Sequence, residues 1–221
     1  MKNIADNRLF HWILLFTIIG EFFLPFVLEQ FYAEYNGMTM VMSALGSPQS
    51  PVRFVYNLWL VWLGVFLAFT AWVYFGVTRA EFPVLSVFIL LSIGFFAIGA
   101  GILSGIFRVN ANKDIVTTAA KIHGVSAAIG FVALLFFPLL NGILSLKQKD
   151  RMEGIISLSS FVLSFIFFTC FILGDKEQFH NTFLQYVGLW ERLTLFCMYI
   201  PFIYKTIAFF STVQNTNRKH G

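Results

Sequence analysis

The chain has 221 residues, of which 58% are hydrophobic, 19% aromatic and only 12% charged, with a formal net charge of +4. A soluble domain carries roughly 25% charged residues, so a water-soluble fold is excluded, and so small a basic excess does not point to nucleic acid. Several apolar runs reach the ~20 residues that cross a bilayer. The sequence therefore predicts an all-α, polytopic transmembrane bundle of six helices, forming a single domain over residues 1–221.

Lys2 and Arg8 precede the first span, at about 9–31, as in a signal sequence. No small-residue cleavage site follows and Glu21 interrupts the apolar run, so an uncleaved helix is expected. Glu21 falls at or slightly beyond the midplane, where an acid costs ~2.5–3.5 kcal/mol unless paired, protonated or wetted. Pro25, four residues on, cannot donate to the Glu21 carbonyl and bends the helix there. The resulting notch serves either proton handling or, with Glu21 protonated, a hydrogen bond to a neighbouring helix.

The turn-rich stretch SALGSPQSP (43–51) leads into a second span at about 55–78, whose mouth carries Arg53 and Asn57 one turn apart. The third span, about 84–107, follows after only TRAEFP, with Pro83 suited to a helix start. Gly94, Ala97, Gly101 and Ser104/Gly105 recur in it at helical spacing and lead to Arg108. Such a stripe either packs helices closely or floors a cleft with Arg108 as an anion clamp.

The fourth span, about 122–146, opens KIHGVSAAIGF and places His123 one turn into the membrane, as a base, a relay or an interface hydrogen-bonder. KQKDRMEG reverses the chain into the fifth span at about 154–174. The sixth, about 189–211, opens GLWERLTLF. Glu191 there suits the helix dipole or pairs with an arginine of another helix. Arg192 either snorkels to the headgroups or faces a bound anion. Cys170 and Cys197, inside apolar runs, read as buried free thiols.

Six spans put both termini on one side. That side holds nine basic residues (Lys2, Arg8, Arg79, Lys147, Lys149, Arg151, Lys205, Arg218, Lys219) against six on the other (Arg53, Arg108, Lys113, Lys121, Lys176, Arg192). The positive-inside rule makes both termini cytoplasmic, in the cell membrane. The long connections and most of the unusual charges then lie outside. His11 and His123 sit near opposite ends and cannot share a haem iron, and the outer side offers only His123 and His180, which would need Glu21, Asp175 or Glu191 to complete a zinc site. No phosphate loop or nucleophile elbow occurs. No metal is predicted, and the cofactor is left unknown.

SALGSPQSPVRFVYNLWLVWLG, SGIFRVN followed at a distance by KIHGVSAAIGF, and GLWERLTLF together resemble the bacterial and archaeal membrane family of the domain of unknown function 998, over about residues 40–205. A weaker likeness is to six-helix DRAM/Frag1-type membrane proteins. The resemblance implies the six-helix architecture and singles out Ser43, Gly46, Asn57, His123, Glu191 and Arg192 as family-like polar positions. Members of the family often carry proline after the phenylalanine of the third helix, where this chain has Arg108.

The leading functional expectation is a polar cleft, opening to the non-cytoplasmic face, that binds a lipid-like or other amphipathic anion. Arg108 and Arg192 would hold the anion, because guanidinium suits bidentate contacts. Glu191, Glu21, Asn57, Ser43 and Arg53 would orient it, and His123, with Glu21, would handle any proton. The alternatives are a proton-coupled transporter using Glu21 and His123, and a non-enzymatic scaffold or sensor. Membrane lipids are the expected partners, and the oligomeric state is open.

Overall fold

The computed structural model describes residues 1–107 and 117–219, with side chains as far as Gln214. Among these residues the chain is helical, with no strand. Six helices are long and apolar enough to cross a membrane. They are α1 (Arg8–Glu29), α2 (Arg53–Thr78), α3 (Pro83–Ile106), α4 (Thr118–Lys147), α5 (Arg151–Gly174) and α6 (Val187–Lys219). Their alternation puts the termini and two short reversals on one face of the bundle, the terminal face. The connections 30–52 and 175–186 lie on the other, the loop face, where α3 ends and α4 begins.

Local chemistry fixes the helix ends. Asn7 caps α1, its side chain accepting from Leu9 N at 2.8 Å. Thr117 does the same for α4 through Ala120 N at 3.2 Å, so α4 begins a turn earlier than hydropathy indicates. Pro83 occupies the first turn of α3, where no N–H is needed. Pro138 divides α4 into Thr118–Leu135 and Phe137–Lys147, because it cannot donate to the Leu134 carbonyl. The reversal into α5 uses Lys149 in the left-handed region (φ 67°), followed by Asp150, which caps Glu153 N at 3.0 Å.

A π-helical segment, Ala97–Leu103, sits near the loop-face end of α3. It breaks the 3.6-residue register, so the small residues do not form one straight stripe. Gly94 faces open space, whereas a Cβ on Gly101 would lie 2.5 Å from the Gly64 Cα and 2.9 Å from its nitrogen. Gly99 likewise meets the Ser126 carbonyl oxygen, 2.2 Å from where its Cβ would be. The glycines therefore bring the backbones of α2, α3 and α4 together, as small residues do in membranes. Gly101→Ala is expected to lower stability by about 1–3 kcal/mol, the usual cost of overpacking. Gly94→Ala, with nothing within 4 Å of its Cβ, should leave the melting temperature in detergent unchanged. Equal effects of the two would refute the close crossing.

Large apolar side chains both fill the interior and cover the outside. Ile18, Leu67, Phe96, Phe137 and Tyr199 are buried, while Phe16, Phe23, Trp72, Phe88 and Phe165 are exposed. An outer surface of this kind suits hydrocarbon and not water. The most apolar window of α5 is only 17% buried, against 39–44% for the other five, so α5 lies at the edge of the bundle. It meets α4 closely near the terminal face, where a Cβ on Gly142 would lie 3.2 Å from the Gly154 carbonyl oxygen. Nearer the loop face, Phe131 of α4 meets Phe168 and Phe171 of α5 at ring distances of 6.4 and 6.2 Å.

Candidate functional site

A cavity of about 410 Å³ occupies the loop-face half of the bundle. Glu21 of α1, His123 of α4, Glu191 of α6 and Ser43 of the first long loop all line it, together with Tyr56 and Ser104. The rest of the wall is apolar, and it reaches the exposed outer surface at Val132 of α4 and Ile172 of α5. Its size falls within the ~300–1,000 Å³ of small-molecule pockets. The wall holds no lysine or arginine among the described residues.

Glu21 is 3% exposed. Its Oε2 accepts from the Trp59 indole N–H at 2.8 Å, and Oε1 has no partner among the described residues. Gly20 allows this contact, since a Cβ there would fall 2.3 Å from the Trp59 ring. Glu191, 7% exposed, accepts from Met42 N at 2.6 Å. His123 Nδ1 lies 2.9 Å from the Phe107 carbonyl oxygen and 3.3 Å from that of Ser104. Two acceptors there assign the ring proton to Nδ1. Nε2 has no partner among the described residues. The polar end of the cavity thus offers the Glu21 carboxyl and the His123 ring beside the hydroxyls of Tyr56 and Ser43.

The arginines are placed differently. Arg192 Nη1 donates to the carbonyl oxygens of Gly37 at 2.5 Å and Gly188 at 2.8 Å, and Nη2 donates to the Tyr35 hydroxyl at 2.7 Å. Burial pushes the Tyr35 phenol up to about 12, against the pull of the Arg192 guanidinium, so it meets Arg192 as a neutral acceptor. Leu189 N donates to Met38 O at 3.1 Å, and Glu29 Oε1 accepts from Gly37 N at 2.7 Å. With the Glu191–Met42 bond, the start of α6 holds the whole stretch 35–42 over the cavity. In the GLWER motif, then, Glu191 lines the cavity and also fixes the loop, while Arg192 fixes the loop alone.

Arg53 and Asn57 belong to another surface. Arg53 donates to the Pro48 carbonyl and Asn57 to that of Gly46 at 3.3 Å. Both edge a shallow hollow against Gly105 and Ile106, apart from Glu21 and His123. Arg108 lies outside the described residues.

A second polar group, which sequence reasoning missed, joins four helices near the terminal face. Asn141 of α4 donates to Glu153 Oε1 at 2.8 Å and Ser157 Oγ at 2.9 Å, both on α5. Tyr74 of α2 donates to Asn141 Oδ1. Lys205 of α6 lies 2.6 Å from Glu153 Oε1 and 5.3 Å from the centre of the Tyr74 ring. Trp59 was missed as well. An indole N–H in mid-span needs an acceptor, and that requirement was the available signal.

Six apolar helices around an internal cavity with a polar end define a helical, membrane-type protein. The family described as "Protein of unknown function (DUF998)" matches residues 19–206, and the chain belongs to it. No curated protein and no solved structure matches the chain.

Proposed function

We propose that the protein binds an amphipathic, lipid-like molecule in the loop-face cavity, with its polar end against Glu21, Glu191 and His123. The observation that carries this reading is one continuous wall, with those three polar groups at one end and the exposed Val132 and Ile172 of α4 and α5 at the other. An apolar tail can lie among Phe131, Phe168 and Phe171 while the head leaves the hydrocarbon. Two carboxyls, an imidazole and the Tyr56 and Ser43 hydroxyls suit a head that exchanges hydrogen bonds, such as one bearing hydroxyls or an ammonium group. An anionic head would need Arg108, since Arg192 is already engaged. The excess of basic residues on the terminal side supports cytoplasmic termini and a cavity toward the outer face of the cell membrane.

Native mass spectrometry of the purified protein tests this. The wild type should carry a discrete lipid-like adduct, reduced at least about tenfold in Glu21→Gln and His123→Ala but retained in Arg53→Ala. A tenfold loss corresponds to about 1.4 kcal/mol of binding, a modest share for one buried hydrogen bond to a charged group. Identical spectra for all four proteins would overturn the reading.

Proton-coupled transport is the second reading, favoured because Glu21 and His123 line the same cavity. It requires a pH-dependent flux that Glu21→Gln abolishes.

A further inference from the structure

The bundle contains a second cavity, of about 340 Å³, lined by His11, Leu14, Thr70, Tyr74, Phe202 and Lys205 among others. Three helices line both cavities, in matching register. On α1 the last terminal-face residue is Leu14 and the first loop-face residue Glu21; on α2 they are Thr70 and Leu63; on α6, Phe202 and Leu195. Each interval is seven residues (14 to 21, 63 to 70, 195 to 202), or two helical turns and about 10 Å. Midway along each, on the inward face, stand Ile18, Leu67 and Tyr199, at most 1% exposed. The Tyr199 hydroxyl is fully buried and has no hydrogen-bond partner among the described residues. Two residues further on, Pro201 interrupts α6 and removes the backbone bond to the Cys197 carbonyl.

We propose that the two cavities are the ends of one translocation path, and that the protein carries its amphipathic ligand across the membrane, with Ile18, Leu67 and Tyr199 as the gate. The nature of the cargo rests on the ligand reading above. The path itself rests on the register of the two cavities and on the unpaired phenol. A buried hydroxyl without a partner destabilises the closed arrangement. Opening the layer to either cavity gives that hydroxyl water or a ligand head to bond. Pro201 gives α6 a place to bend beside it. A head released from Glu21 and Glu191 meets the His11 ring, the Tyr74 hydroxyl and the Lys205 side chain at the far end.

The test is two-sided thiol labelling in membranes, which needs no ligand. In the full chain with Cys170→Ser and Cys197→Ser, Leu63→Cys places a thiol at the floor of the loop-face cavity. Ala100→Cys, on the same wall, replaces it if Leu63→Cys does not fold. A membrane-impermeant methanethiosulfonate is applied to right-side-out and to inside-out vesicles. A gated path predicts labelling from both faces. Adding Tyr199→Phe should slow labelling from the terminal face about tenfold while raising the melting temperature, because the closed state loses an unpaired hydroxyl. Labelling from the loop face alone would overturn the proposal, and an unchanged rate in Tyr199→Phe would overturn the place of Tyr199 in the gate. Two-sided labelling without a lipid adduct in the mass spectrum would refute the ligand and leave the path standing.

Discussion

Lys205→Met is expected to destabilise the protein by about 3 kcal/mol, the lower end of the cost of leaving one member of a buried ion pair without its partner, because the Lys205 side chain is itself 28% exposed. Glu153 is 5% exposed and takes both Lys205 Nζ and the Asn141 amide on the same oxygen, at 2.6 and 2.8 Å. Without the ammonium, the carboxyl must either stay charged in an apolar layer or take up a proton. Glu153→Gln in the Lys205→Met background removes that penalty. The double variant should therefore recover most of the loss, a coupling of at least about 2 kcal/mol of the kind adjoining partners show. Thermal unfolding in detergent across the four proteins of the cycle measures it. Additive losses would mean that Lys205 acts only through its packing against the Tyr74 ring.

The six spans were legible because hydrophobic length is a strong signal when backbone polar groups have no water to bond. The structure moves most of their ends by only a few residues, as at Thr117, while α6 runs eight residues past 211 to Lys219. The polar cavity was half legible. Glu21, Glu191 and His123 stand out because a titratable group in an apolar helix is costly, and these three line one space. The arginines were harder to place, because the partners of Arg192 and Arg53 include backbone carbonyls, which leave no mark in a sequence. The π segment was hidden for a similar reason. Gly99, Ala100 and Gly101 read equally well as a straight helix, and only the crossing with Gly64 and Ser126 selects the wider turn. The Glu153–Lys205 pair was invisible because its members were read as charges of the terminal face. Arg151 starts α5 three residues before the predicted span, which takes Glu153 into the bundle.

Gly188→Ala is expected to disturb the loop face as strongly as any single methyl group could. A Cβ there would lie 2.2 Å from the Met40 carbonyl oxygen and 2.4 Å from that of Gly37. Both are backbone atoms, so no rotamer change relieves the contact and the loop itself must move. Overpacking costs about 1–3 kcal/mol, and here the movement also separates Gly37 O from Arg192 and strains the Glu191–Met42 bond. Hydrogen exchange should therefore quicken by about tenfold or more at residues 37–42, most clearly at the amides of Gly37 and Met42, which now donate to Glu29 and Glu191. Arg192→Lys should give a milder form of the same change, since an ammonium cannot span the Gly37 carbonyl and the Tyr35 hydroxyl with the geometry of a guanidinium. If α6 positions Glu191 through this loop, the lipid adduct should weaken in both variants, although neither alters a group that the ligand touches. Unchanged exchange in Gly188→Ala would mean that the loop yields without cost, and the cavity would then need no lid to keep its shape.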